Sequence, residues 1–111
     1  MDLNRHQRQA WQIAEDHGWH DEPRTVGDRI ALMHSELSEA LEEFRNHRGF
    51  EVYFQYENVN EKPRGLGIEL ADCLIRIFDF AQEEGLELEH LVETKTAYNR
   101  RRPYRHGGKT L

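Results

Sequence analysis

Two short runs carry acidic residues at a spacing that suits metal chemistry. "ELSE" places Glu36 and Glu39 three residues apart, and "ELAD" does the same for Glu69 and Asp72. On a helix, residues three apart share a face about one turn from each other. Both pairs sit at the border of an apolar face. On the first segment Glu36, Glu39 and Glu43 fall within about 60° of one another, with Glu42 nearer the outer face. On the second, Glu69, Asp72, Arg76, Asp79 and Glu83 share a stripe roughly 80° wide. The remainder of "GLGIELADCLIRIFDFAQEEG" is nearly all apolar.

If these two helices pack antiparallel, the pairs face each other across a groove. Four carboxylates in one small space repel, and burying them unpaired is costly. A divalent cation resolves the conflict. Mg²⁺ takes oxygen ligands and bridges to substrate phosphates, and Mn²⁺ also suits carboxylates. One such pair alone reads as surface acidity; two, both edging an apolar face, point to a site. Rival metals fit worse. A di-iron bundle needs Glu-x-x-His pairs, and in these two runs the third residue on is Glu39 or Asp72, not His. Zinc wants His or Cys, but Gly18 breaks the helix between His17 and His20. His34 reads as a packing or hydrogen-bonding residue.

Cations to match the acids lie near the C-terminus. Lys95, Asn99 and Arg102 recur at three- to four-residue spacing on one helical face, and Arg105 and Lys109 follow. Arginine suits bidentate phosphate contacts, and lysine acts as a point charge. "HGGK" is not a P-loop, because it lacks the Gly-x-x-x-x-Gly-Lys spacing. A base could stack on Trp11, Trp19, Phe54 or Tyr56.

Four helical segments must position these residues. The first spans about residues 2–17, with a sparse apolar stripe of Leu3, Ala10, Trp11 and Ala14. The second spans about 25–47, capped by Thr25 or Asp28, with Ile30, Met33, Leu37, Ala40, Leu41 and Phe44 at helical spacing. The third spans about 65–84 and ends at Gly85; it is apolar over about two-thirds of its circumference, as a central helix is. The fourth spans about 88–101 and stops before Pro103. Between the second and third, Val52, Phe54 and Tyr56 alternate, which predicts an irregular or short β insert near 50–58. The tail after Pro103 reads as irregular. The expected fold class is all-α, a four-helix bundle-like single domain over residues 1–111.

Bulk composition sets the surroundings. The 111 residues are 37% hydrophobic and 32% charged, with net charge −6 and one cysteine. Such a balance leaves a thin core, part of which a partner subunit can supply. An acidic chain lacks the general basic footprint of a nucleic-acid-binding domain. Cys73 excludes an intrachain disulfide and a cysteine zinc cluster. No apolar run reaches the ~18 residues of a membrane span, and the N-terminus has no apolar signal core. A cytoplasmic protein with no membrane partner is expected.

On "SELSE", "ELAD" and the tail "KTAYNRRRPYRHGGK", the chain resembles the MazG-like all-α nucleoside triphosphate pyrophosphohydrolases, a phage and bacterial subgroup in particular. The similarity runs from about residue 25 to the end. The resemblance implies Mg²⁺-dependent hydrolysis of a nucleoside triphosphate to the monophosphate and pyrophosphate, in a homodimer or homotetramer. It implies Glu36, Glu39, Glu69 and Asp72 as metal ligands, with Glu39 also the first candidate to take the attacking water's proton. Lys95 and Asn99 become phosphate and sugar contacts, with Arg102, Arg105 and Lys109 reaching phosphate oxygens. It sets Arg76 and Asp79 apart as a supporting charge pair lining the same slot. Two features depart from the family pattern. Ser35 stands where the first motif Glu belongs, and the segment between the two halves is long. The alternatives are a same-fold hydrolase of another phosphoanhydride and a non-catalytic helical module that binds a nucleotide or a protein.

Overall fold

The computed structural model describes residues 2–57, 60–108 and 110. It is mostly helical: α1 Leu3–Asp16, α2 Val26–Glu43, α3 Leu66–Glu83, α4 Leu88–Arg101 and a short α5 Arg105–Gly108. A single wide helical turn, Phe44–Arg48, extends α2. Two strands, β1 Tyr53–Glu57 and β2 Asn60–Arg64, pair antiparallel between α2 and α3.

The helix starts follow from local chemistry. Thr25 accepts from the Asp28 backbone N–H at 3.0 Å, and Asp28 accepts from the Thr25 N–H at 3.2 Å. Both predicted capping residues therefore act together, as a capping box. Gly65 opens α3 at φ 131°, where a Cβ would overlap the Glu51 carbonyl oxygen. Only glycine lets the chain before β1 pass this close to the start of α3.

α3 is the central element and packs against both α1 and α2. The contacts Arg29–Asp79 and Met33–Cys73 ascend one helix while descending the other, so α2 and α3 run antiparallel. The core is narrow: Ala10, Ala40, Cys73 and Ala81 are its buried apolar residues. Gln7 is buried too. Its amide donates to the Leu86 carbonyl at 2.8 Å and accepts from the Leu88 N–H at 2.8 Å. A residue of α1 thereby caps the start of α4. Beyond that anchor α4 buries no residue.

The chain is open for its size. Its radius of gyration is 16.9 Å, where a compact domain of this length has about 13 Å. It exposes 8740 Å², against roughly 6,400 Å² for a compact monomer of its mass. Leu41, Leu74 and Phe54 are each more than half exposed.

The short β insert expected near 50–58 is present as β1, and a second strand extends it beyond those bounds. The strand at 53–57 has a partner, the polar run "NEKPR", which carries no apolar alternation to announce it. The register Tyr53↔Arg64 and Gln55↔Lys62 puts these four residues on one face and Phe54 and Tyr56 on the other. The tail holds a short helix rather than irregular chain alone. Among the described residues, no helix is long and apolar enough to cross a membrane.

Candidate metal centre

The antiparallel pairing of α2 and α3 brings the two acidic runs together. Glu36, Glu69 and Asp72 each direct one carboxylate oxygen into a space where all three lie within 4.8 Å of one another. Glu36 and Glu69 are buried and Asp72 is half-buried. Glu39 is exposed and lines the same cleft. Oxygen-only donors, several of them charged, are the set a hard divalent cation takes.

The electrostatics describe a crowded anionic site. Burial pushes the Glu69 carboxyl up to about 7, assisted by the charges of Asp72 and Glu39. Asp72 is raised by burial and by Glu36, with Arg76 and Lys62 pulling the other way. Glu39 is raised because its carboxyl shares a hydrogen bond with Glu36 and loses some solvent. Glu36 alone moves down. Burial would raise it, but the hydrogen bond from Arg76 prevails. Arg76 Nε lies 2.6 Å from Glu36 Oε1.

That ion pair corrects the expected one. Arg76 and Asp79 do not form a charge pair with each other. Arg76 serves Glu36, while Asp79 accepts from Arg29 at 2.8 Å and lies 2.8 Å from His20 Nε2. All three partners of these two residues come from outside α3, so a wheel drawn for one helix could not pair them. Glu43 is engaged as well, accepting from the Tyr53 hydroxyl at 2.9 Å. Glu42 lines the cleft with Glu36 and Glu39, although its wheel position pointed outward.

Two clefts meet at the carboxylates. The smaller, about 360 Å³, is walled by the acidic residues and by Lys62 and Arg64 of β2. The larger, about 540 Å³, is mainly apolar and includes Trp19, Ile75 and Phe78. Glu36 and Asp72 line both. Lys62 and Arg64 escaped the sequence reading. Their signal was alternation, basic residues two apart on a strand, which becomes visible only once "NEKPR" is read as one.

The cationic face of α4 lies elsewhere in this chain. Lys95 and Arg102 flank the Tyr98 ring at 4.7 and 5.5 Å, and Arg105 sits over Tyr104 at 5.6 Å. The Asn99 carbonyl accepts from the Arg102 N–H at 3.3 Å. None of these four lines either cleft, and Lys109 lies outside the described residues. Of the aromatic candidates, Trp19 faces the larger cleft, Trp11 stacks on His20, and Phe54 and Tyr56 occupy the outward face of the hairpin. Ser35 is exposed and donates to its own helix at the Leu32 carbonyl, 2.7 Å away, so it is not part of the cluster.

Comparison of the chain with models of protein families, with curated proteins and with solved structures finds no match.

Proposed function

We propose that this chain is a divalent-metal-dependent nucleoside triphosphate pyrophosphohydrolase, releasing the monophosphate and pyrophosphate. The observation that carries the reading is the position of the carboxylate cluster. It divides a small, strongly charged cleft from a larger, mainly apolar one whose lining also includes Arg24, Arg29 and Arg76. A nucleotide has the same division, a charged polyphosphate at one end and a flat, largely apolar base at the other.

Glu36, Glu69 and Asp72, with Glu39, would hold Mg²⁺ or Mn²⁺. Such an ion screens phosphate charge and makes water a usable nucleophile near neutral pH. Glu39 is the accessible carboxylate of the four and suits the role of general base. The attacking water gives it a proton as the new P–O bond forms and the bond between the α- and β-phosphoryl groups breaks. Lys62 and Arg64 face the phosphate side, and Trp19 the base side. The working unit is a homo-oligomer. The surface in excess of a compact monomer, roughly 2,300 Å², is of the size that a stable interface buries. In that assembly a neighbour's α4 would bring Lys95, Asn99 and Arg102 to the phosphates.

The test is incubation with each ribo- and deoxynucleoside triphosphate plus Mg²⁺, assayed for pyrophosphate, beside Glu69→Gln and Asp72→Asn. Release by the wild type and its loss in both variants is expected. No release from any nucleotide overturns the proposal. Metal binding without turnover, unrestored by Ser35→Glu, would favour the binding module instead.

A further inference from the structure

A second polar cluster sits beyond the carboxylates, where the connection between α1 and α2 meets α3. His20 is its centre. Its side chain is only 11% exposed, and each ring nitrogen faces a carboxylate: Nδ1 lies 2.6 Å from Glu15 Oε2 and Nε2 lies 2.8 Å from Asp79 Oδ1. An ionised carboxylate only accepts hydrogen bonds, and a neutral imidazole has one N–H. Both contacts exist together only when the ring carries two protons.

The groups around the ring agree. Glu15 faces it from α1, Asp79 and Glu83 from α3, and Arg29 of α2 neutralises only the far oxygen of Asp79. With His20 charged, two cations meet three anions; without its proton, one cation meets three. The ring also stacks on Trp11 at 5.1 Å, and an aromatic face attracts a cation. Burial lowers the tendency of His20 to hold its proton, but the bonds to Glu15 and Asp79 outweigh it and the net shift is upward.

The geometry points to His20 as a proton-operated latch that ties the 17–24 connection to α1 and α3 at once and so fixes one wall of the larger cleft. Trp19, His20 and Arg24 of that connection all line the cleft. When the ring loses a proton, one nitrogen turns a lone pair towards a carboxylate and that contact breaks. Asp79 keeps Arg29 as a partner, whereas Glu15 is 44% exposed and can turn to water. The Glu15 bond is therefore the one released: the connection stays joined to α3 through Asp79 but loses this tie to α1, and the wall loosens on that side as pH rises.

The experiment is a histidine-selective NMR titration of the full wild-type chain, with Glu15→Gln and Asp79→Asn beside it. His20 should titrate above the ordinary value of 6.5 and move down in each variant. Thermal melts add a second measurement. The difference in Tm between wild type and His20→Gln should be largest below pH 6.5 and shrink as pH rises through the His20 titration. A wild-type His20 that titrates at or below 6.5 overturns the latch, as does a Tm difference that does not vary with pH. Neither readout involves nucleotide turnover, so the latch and the hydrolase reading stand or fall separately.

Discussion

Arg76 of α3 donates to Glu36 of α2 at 2.6 Å, so a proposed metal ligand is oriented and held ionised by a cation on the facing helix. One oxygen of Glu36 is taken by this contact, and the carboxylate also meets Glu39 and Glu69. Arg76→Met leaves a buried carboxylate without its partner. The expected loss is roughly 1–2 kcal/mol, at the low end for a charged hydrogen bond because Arg76 is partly exposed. Thermal melts should show a Tm lower by about 4–8 °C per kcal/mol, and saturating Mg²⁺ should recover part of it.

Glu69→Gln should separate stability from activity. Turnover is expected to fall by at least about 100-fold, since even the outer partners of metal ligands cost 10–100-fold. The chelator-treated variant should nonetheless melt higher than wild type at pH 8. The sign follows from linkage. A carboxyl that titrates near 7 when folded and near 4.5 otherwise holds more protons in the folded state between those values. Its contribution to stability therefore falls as pH rises through that window. The Tm advantage of Glu69→Gln should open between pH 5 and pH 8 and close when Mg²⁺ is added to wild type. A variant less stable than wild type at pH 8 would contradict the crowding of anions described above.

Gly65→Ala tests the junction between the hairpin and α3. The new methyl meets backbone, and φ 131° is closed to an L side chain. A loss of about 1–3 kcal/mol is expected from the backbone strain. Because Glu69 lies one turn into the helix that Gly65 begins, Mg²⁺ affinity measured by calorimetry should fall as well. An affinity equal to wild type at a temperature where the variant is fully folded would detach Gly65 from the site.

The open shape predicts assembly. Leu41 of α2 and Leu74 of α3 are 55% and 52% exposed. Light scattering should give a dimer or tetramer for wild type. The double variant Leu41→Glu with Leu74→Glu should give a monomer of lower Tm. A wild-type monomer at micromolar concentration would leave the large exposed surface without its explanation.

The helices and the acidic pairs were legible in the sequence because each rests on a local period. Thr25, Asp28, Gly65 and Gly85 mark boundaries within a residue or two of the observed ones. The pairing of the cations was not legible. Arg76 chose Glu36 over its helix neighbours, and Asp79 chose Arg29 and His20, because the packing of α2 on α3 offered closer partners than the i and i+4 positions did. His20 was weighed in the sequence only as a zinc ligand, for the same reason: both of its partners are acids, one five residues back and one on another helix. β2 was missed because its face towards the site is basic and its other face is solvated, so no apolar rhythm marks it.

The buried amide of Gln7 has a mechanical meaning. It grips the chain on both sides of the turn into α4, at Leu86 and Leu88, while the rest of that helix stands free of the core. A helix of fourteen residues is a lever about 21 Å long. A swing of about 10° at the Gln7 pivot would carry its far end, where Asn99 and Arg102 lie, through roughly 4 Å. Gln7, with the Glu89 carboxylate that accepts from the Leu3 N–H at 3.1 Å, thus sets the aim of the cations along the arm.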